Sequence, residues 1–461
     1  MSGEKLMGKD RMESLLTLAL EHSKAGQTEA HVYSGSWALT RFANSTIHQN
    51  MASDNAVMRV RAVFGKKVAT ASSNIIDEAG VRALVDRAVE MARHQDANPD
   101  FVSLPEPWEG EAPAEPGAGG SDAAHQEVRP PATPRAGRYV PATAECSAER
   151  RAEMVRTIIG ESDRVEATAA GSLTVRSYER AVANSLGIRS YYKGAQAGLV
   201  TVVTGPDGGY GYASATASDI GEIDSAAIGR EAAERASASR NPADVEPGEY
   251  ECILTPYAAG NMIDTFVWMG FYALAYQEGR SFVCGKLGEK IVGAGISIRD
   301  DGLDPRTLVT PYDGEGVAKQ RVDLVADGVA NGILYDSYTA HREGKKSTGH
   351  ACGENIILAP GDASVDEMIA STKRGLLVTR FHYTNMSHLM TASFTGMTRD
   401  GTFLIEGGNI VRPVKNLRFT QSILEALSNV DMIGRDLKLV NGTLVPALKI
   451  GKWRFTSGTE F

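Results

Sequence analysis

A degenerate internal repeat is the feature of this sequence that most constrains its fold. Each unit begins with an Asn-Ser pair, at Asn44 or Asn184, and ends with an Asn-Pro pair, at Asn98 or Asn241. Between these pairs lie an alternating strand pattern, a glycine-containing turn, a strand of small residues and an amphipathic helix. The two units span 54 and 57 residues between their pairs. Because the same element order recurs at the same spacing, we predict two similar sheet-plus-helix units.

The part of the chain that follows the repeat has a different pattern. Short apolar strands alternate with glycine turns, as in VGAGISIRDDG, GTFLIEGGNIVRPV and LKLVNGTLVPALKIG. This spacing of turns is typical of a meandering antiparallel sheet, which can close into a barrel, and leaves room for one or two buried helices. We therefore predict an α+β protein, with N-terminal duplicated sheet-plus-helix units followed by a C-terminal mainly antiparallel β domain.

Composition along the chain suggests the boundaries between these parts. Residues 105–143 are rich in Pro, Gly and Ala and nearly free of aliphatic side chains, so they cannot bury enough apolar surface to offset the entropy of ordering. We interpret them as a linker or surface insertion. The predicted organisation is a first α+β unit at 1–104, this linker, a second α+β unit at 144–248 and a β-rich domain at 249–461.

Charge and hydropathy exclude several classes of function. The formal net charge is −9 and no Lys/Arg block stands out, which argues against nucleic-acid binding. The most apolar stretch, residues 258–276, is interrupted by Asn261 and Asp264, so it predicts a buried helix rather than a membrane span. The four cysteines lie far apart without a CxxC pair, and the N-terminus lacks the pattern of a secretion signal. We expect a cytoplasmic protein with free thiols.

No self-contained active site emerges from the motifs. The sequence has no HExxH or HExxxH zinc helix and no GxSxG nucleophile elbow, and GPDGGYGY at 205–212 is better explained as a hairpin turn than as a phosphate loop. One cluster of candidates combines His350 and Cys352 in a glycine-rich loop. These side chains either bind a metal or, as the loop favours, hold a backbone turn.

A second cluster of candidates lies on one predicted strand. Strict alternation would place Phe381, Tyr383 and Asn385 on one face and His382 on the other. His382 and Asn385 then either line a groove or serve an ordinary structural strand, and the sequence leaves both interpretations open.

Several segments together resemble the TldD/PmbA family. They are RFANSTIHQN (41–50), VANSLG (182–187), DLVADGVANGILYDSYTAHRE (323–343), KKSTGHACG (345–353), GMTRDGTFLIEGGNIVRPVKNLRFTQS (396–422) and VDMIGRDLKL (430–439). The resemblance covers nearly the whole chain outside 105–143. It implies a two-subunit system in which one subunit is a zinc metallopeptidase with HExxxH on a helix and a distant Cys ligand. Its homologous partner, TldE or PmbA, lacks these ligands, and the two enclose a tunnel for unstructured peptide.

The resemblance also implies which subunit this chain is similar to. When the family's zinc helix is placed on this sequence, the two imidazole positions fall at Asp264 and Met269 and the general-base position falls at Thr265. No Cys follows Cys352, so the distant thiolate is absent as well. The sequence around His350 resembles the partner branch. Loss of these ligands would remove the Lewis acid and the activated water together.

We therefore expect a non-catalytic PmbA/TldE-like subunit of a hetero-oligomeric zinc metallopeptidase or amide hydrolase, with no catalytic or metal-binding residue of its own. Zinc is expected in the partner, an HExxxH-bearing TldD-like subunit, and the substrate is an unfolded peptide or a small amide. Nucleic acid and membrane are not expected partners. The alternatives are a stand-alone hydrolase with an atypical site, built from Asp264, His350, Cys352 or His382, and a peptide-binding module without hydrolysis.

Overall fold

The structure is a computed structural model that describes residues 6–107 and 137–459. Its first unit consists of helix α1 (Lys9–His22), strands β1 (Gln27–Ala43), β2 (Thr46–Phe64) and β3 (Lys67–Ser73), and helix α2 (Glu78–His94). The second unit consists of α3 (Pro141–Ala144), α4 (Ala148–Asp163), β4 (Thr168–Asn184), β5 (Arg189–Thr204), β6 (Tyr210–Ala217) and α5 (Ser225–Ala238). Most of the predicted linker, residues 108–136, lies outside the described residues.

The two units form one continuous antiparallel sheet. Its strand order is β3-β2-β1-β4-β5-β6, so the units meet through their equivalent first strands. The register of this junction runs from Glu29 opposite Asn184 to Phe42 opposite Gly171. Helices α1 and α2 cover one half of the sheet and α4 and α5 the other, each pair closing its own apolar core. The predicted duplication of sheet-plus-helix units is confirmed.

The Asn-Ser pairs of the repeat form hairpin turns in both units. Asn44 and Ser45 have φ of 48° and 55°, the left-handed backbone that a two-residue turn needs to match the twist of its strands. In the second unit the Asn184 side-chain oxygen accepts hydrogen bonds from the backbone N–H of Leu186 and Ile188, both at 3.0 Å. A short polar side chain thus supports a tight connection in each case.

The C-terminal part contains the remaining elements. Its helices are α6 (Pro256–Gly270), α7 (Ala273–Gln277), α8 (Ser337–Arg342), α9 (Val365–Ala370) and α10 (Ile423–Ser428). Its strands are β7 (Gly248–Leu254), β8 (Ile298–Asp300), β9 (Val322–Ala326), β10 (Val329–Ala330), β11 (Ile356–Leu358), β12 (Arg374–His388), β13 (Ser393–Glu406), β14 (Asn409–Pro413), β15 (Leu417–Ser422), β16 (Val430–Ile433), β17 (Lys438–Val440), β18 (Thr443–Val445) and β19 (Leu448–Gly458).

Five of these strands close into a ring. Strand β12 pairs with β7, β7 with β19, β19 with β15, β15 with β13, and β13 again with β12. Most pairings are antiparallel, which confirms the mainly antiparallel C-terminal β domain, whereas β12 and β7 run parallel. Aromatic side chains fill the core: the rings of Phe381, Phe419 and Trp453 have centroids 4.6 to 5.3 Å apart. A second sheet has the order β10-β9-β8-β11-β18-β17.

The apolar stretch at 258–276 forms two consecutive helices, α6 and α7. The break falls after Gly270, where an added Cβ would meet the ring of Phe282 at 2.3 Å, so only glycine allows this packing. None of the helices in the described ranges combines the length and the hydropathy that crossing a bilayer requires.

Candidate functional site

Helix α6 carries the positions that the family resemblance assigns to zinc ligands. The helix begins with Pro256 in its first turn, where a missing N–H costs no hydrogen bond. Its buried side chains form the apolar core of the C-terminal part. The opposite face carries Asp264 and Trp268, both exposed, and Trp268 retains 52% of its accessible surface.

The side chains at the aligned zinc-motif positions lie in different environments. Asp264 is exposed, whereas Met269 is only 1% exposed. Thr265 follows Asp264, and its hydroxyl donates a hydrogen bond to the carbonyl of Asn261 at 2.8 Å. Asp264 therefore faces outward, while Met269 packs into the apolar core. The neighbour of Asp264 on its own face is Trp268, one turn further on.

The side chains present also do not fit a zinc ion. Thioether and hydroxyl groups are poor substitutes for imidazole and carboxylate, the donors that zinc takes in hydrolases. Across residues 6–107 and 137–459, no group of three or more His, Cys, Asp or Glu side chains is arranged to hold a metal. The residues at the zinc-motif positions of this chain therefore do not form a zinc site.

His350 anchors the loop that faces α6. Its Nε2 lies 3.1 Å from Oδ1 of Asp300 at the end of β8, and both side chains are fully buried. The other carboxylate oxygen of Asp300 accepts a hydrogen bond from the backbone N–H of Glu354 at 3.1 Å. Burial raises the pKa of Asp300, but the hydrogen bond and charge of His350 outweigh burial and lower it overall. Here His350 contacts a carboxylate that holds the loop backbone.

Cys352 lies at the exposed surface of the same loop. Its Sγ donates to Oε1 of Glu354 at 3.3 Å. Desolvation by the surrounding protein, together with the negative charge of Glu354, raises the pKa of the Cys352 thiol to about 12. The thiol therefore stays protonated at neutral pH, whereas nucleophilic and metal-binding cysteines act as thiolates.

A buried lysine ties this loop to the interior. Lys319 is 1% exposed, and its ammonium group lies 3.0 Å from Oε2 of Glu354 and 3.2 Å from Oδ1 of Asn355. Burial raises the pKa of Glu354, but Lys319 and, more weakly, Arg180 on strand β4 lower it overall.

Tyr272 connects the loop to the exposed face of α6. Its hydroxyl accepts a hydrogen bond from the backbone N–H of Gly353 at 2.7 Å. Desolvation raises the pKa of Tyr272 to about 12. Tyr272 follows α6 by two residues, so this hydrogen bond ties the loop that carries Cys352 to the helix that carries Asp264. We call the surface formed by Asp264, Trp268, Tyr272, Cys352 and Glu354 the polar wall.

Strand β12 does not keep the strict alternation expected of it. Phe381 is 6% exposed and Tyr383 is 73% exposed, so these two side chains do not share an environment. The cause is a bulge: Tyr383 has a φ of 50°, and the pairing with β13 shifts between His382 and Asn385. The prediction that Phe381, Tyr383 and Asn385 occupy one face of a regular strand is wrong here.

The bulge therefore determines the positions of the His382 and Asn385 side chains. The His382 ring lies 4.3 Å from the Tyr383 ring, and the Asn385 amide donates to the Tyr383 carbonyl at 3.2 Å. Desolvation lowers the pKa of His382, and the nearby Arg399 and Arg380 lower it further. These contacts lie within β12 and β13 and are separate from the contacts that build the polar wall.

Sequence reasoning did not find three residues that shape the polar wall. They are Tyr272, Asp300 and Lys319. Asp300 and His350 lie 50 positions apart in the sequence, and Lys319 and Glu354 lie 35 apart. The only local signal was the Asp-Asp-Gly turn after β8, which is also typical of an ordinary loop.

Comparisons with known proteins agree with this architecture. The family models match the PmbA/TldA metallopeptidase domain 1 at residues 29–92, its central domain at 143–240 and its C-terminal domain at 247–457. A metalloprotease of Methanothermobacter thermautotrophicus is 28% identical over 232 residues, which are 46% of this chain and 48% of the relative. Metalloprotease PmbA of Escherichia coli O157:H7 is 30% identical over 179 residues, 37% of this chain and 39% of the relative.

These alignments span about half, or less, of the length of the curated relatives. A solved structure covers far more of the chain. TldE from Thermococcus kodakarensis superposes with a TM-score of 0.81 over 97% of this chain and 100% of that chain, at 20% sequence identity. At this identity the likeness shows a shared fold.

Proposed function

This chain belongs to the PmbA/TldD metallopeptidase family, and on that premise we propose that it is the non-catalytic, PmbA/TldE-like subunit of a hetero-oligomeric zinc metallopeptidase or amide hydrolase. Its partner is a homologous TldD-like subunit that carries HExxxH and the zinc ion. The substrate is an unfolded peptide or a small amide. The assembly works in the cytoplasm.

One observation carries this proposal: the helix that would hold zinc has no usable ligand set. Asp264 faces outward, Met269 is buried in the core, and the hydroxyl of Thr265 is bonded to the helix backbone. A water molecule can be activated for amide hydrolysis by a Lewis acid with a base beside it. This helix supplies neither, so the chemistry belongs to the partner.

The polar wall is the part of this chain that we assign to substrate enclosure. It combines an exposed indole, a phenol and two carboxylates on a helix and a loop that buried bonds hold in place. Such a surface contacts an extended chain without selecting one side-chain sequence, because aromatic rings and hydrogen-bonding groups accept many partners. Access through an enclosed passage would then favour unfolded peptides over folded proteins.

The test is reconstitution with a purified HExxxH-bearing homologue. We expect a stable complex by size-exclusion chromatography with light scattering, and hydrolysis of an unfolded protein substrate only when both subunits are present. Replacing the Glu of the partner's HExxxH should abolish hydrolysis and leave the complex intact. Asp264→Asn in this chain should leave the zinc content of the complex unchanged.

Two results would oppose the proposal. One is that no complex forms and hydrolysis by the homologue does not change when this chain is added. The other is that the isolated chain retains one zinc ion per molecule through its own side chains and hydrolyses the substrate alone. The second result would favour the stand-alone hydrolase.

A further inference from the structure

The first half of strand β2 is an open sheet edge. Strand β3 pairs with β2 only from Met58, opposite Ser73, to Phe64, opposite Lys67. Residues 46–56 therefore pair with β1 on one side, and on the other side their backbone groups have no partner among the described residues. All six residues from Asn50 to Asn55 are exposed. We call residues 46–56 the open edge.

In the second unit, the part of the sheet edge that is equivalent to the open edge is covered by another segment of the chain. Phe64 and Thr204 end the equivalent strands β2 and β5, so Ala195 of β5 corresponds to Asn55 of β2. The backbone N–H of Ala195 donates to the carbonyl of Arg138 at 3.0 Å. Beside it, the Lys193 ammonium lies 4.4 Å from the centroid of the Tyr139 ring. A segment at 137–139 thus lies along the edge in the second unit, and none of the described residues does so in the first.

From Gln49 onward, past the register shift at His48 in the pairing with β1, the open edge lacks the features that prevent strand addition. Exposed edges are usually protected by Lys, Pro, bulges or short length. Two other edge strands of this protein follow that rule: β14 has five residues and ends in Pro413, and β17 has three and begins with Lys438. The open edge contains no Lys, Arg or Pro, and its only formally charged side chain is Asp54. It would not repel an added strand.

We infer that the open edge pairs with the equivalent strand of the homologous HExxxH-bearing subunit, an assignment that rests on the proposed function. The precedent is inside the chain, where the two homologous units join through antiparallel pairing of their equivalent strands β1 and β4. Across a pseudo-twofold axis the same geometry joins two subunits. Because the matching edge of the second unit carries the segment at 137–139, this chain offers one such edge, and pairing through it would close the assembly as a pair rather than extend it into a filament.

The experiment measures assembly of full-length edge variants with the homologue by analytical ultracentrifugation. Met51→Lys with Ser53→Lys places two cations on one exposed face of the open edge. The matched control, Thr70→Lys with Ser72→Lys, places them on exposed positions of strand β3. We expect at least a tenfold weaker complex for the edge variant and an unchanged complex for the control.

Proline variants test the backbone itself. Successive N–H groups of β2 point alternately to β1 and to the open side. One of Ala52→Pro and Ser53→Pro therefore removes an outward N–H and leaves the β1 ladder intact. We expect that variant to keep the circular dichroism spectrum of the wild type while its complex is weakened at least tenfold. The other variant loses thermal stability.

The outcomes separate this inference from the proposed function. If the wild-type chain forms no complex, the proposed function fails, and the inference fails with it. If the wild type assembles and every folded edge variant assembles equally well, the inference is overturned while the proposed function stands. If folded edge variants keep the complex but lose hydrolysis of an unfolded peptide, the edge binds substrate rather than the partner, and the inference is likewise overturned.

Discussion

Removing the buried carboxylate of Asp300 is the perturbation whose cost the structure defines best. Asp300→Ala deletes the partner of His350 at 3.1 Å and the acceptor for the backbone N–H of Glu354, also at 3.1 Å. The variant leaves two buried polar groups without a partner, and each such group costs about 1–3 kcal/mol. We therefore expect Asp300→Ala to lower the free energy of unfolding by about 2–6 kcal/mol.

Urea denaturation followed by tryptophan fluorescence measures this loss. Asp301→Ala is the matched control: it removes the neighbouring carboxylate, which accepts one local hydrogen bond from Leu303, and should cost less than about 1 kcal/mol. His350→Ala should cost nearly as much as Asp300→Ala, because it leaves the Asp300 carboxylate buried. The double variant should then cost less than the sum of the two, by about 0.5–3 kcal/mol.

The pH dependence of this contribution has a definite sign. The folded pKa of Asp300 is lowered, so the native state binds the proton less tightly than the unfolded chain, whose Asp pKa is about 3.9. The stabilisation is present at pH 7 and is lost as the pH falls below about 4 and through the folded pKa. Equal unfolding midpoints for Asp300→Ala and wild type at pH 7, or strictly additive costs, would refute this reasoning.

Three further predictions test other parts of the molecule. Asp264→His with Trp268→His should bind zinc in a calorimetric titration, because both positions are exposed and lie one turn apart on α6, whereas Asp264→His alone should not; equal binding by the two variants would contradict this geometry. Gly211→Ala should lower the free energy of unfolding by about 1–3 kcal/mol, because the added Cβ would lie 1.9 Å from the Ala232 carbonyl oxygen. Gly198→Ala is the control, since a Cβ added there has no atom within 4 Å. Burial and the nearby Glu315 raise the pKa of Asp313 to about 7, so the stability of the protein should fall as the pH rises from about 4 to 7. Asp313→Asn should therefore raise the melting temperature at pH 8 more than at pH 5. Equal increases at the two pH values would contradict this assignment.

The duplicated N-terminal units were predictable because their signals are local. An Asn-Ser turn, the alternation on each side of it and an amphipathic helix all lie within one short stretch, and the structure places each of them in the predicted order. The helices that precede the first strands, α1 and α4, were missed, since they lie outside the repeated motif. How the units join was also not predicted, because the pairing of β1 with β4 connects distant parts of the chain.

The arrangement of the C-terminal part depends on similarly distant contacts. Strand β7 pairs with both β12 and β19, which follow it by more than a hundred residues, so no local pattern indicates that the ring closes. The bulge at Tyr383 has no signal in residue type, since tyrosine rarely adopts a positive φ. At the polar wall, the sequence singled out Cys352 and Asp264 as candidates. It could not show that burial and Glu354 would keep the Cys352 thiol protonated.

The most direct test of the central claim is the location of zinc and of catalysis in the reconstituted complex. Metal analysis and peptide hydrolysis should be measured together on the isolated chain, on the homologue and on the mixture. The account predicts one zinc ion per HExxxH-bearing subunit, none bound by this chain, and hydrolysis that requires both subunits. Stoichiometric zinc on the isolated chain, lost on Asp264→Ala together with hydrolysis by that chain alone, would contradict it.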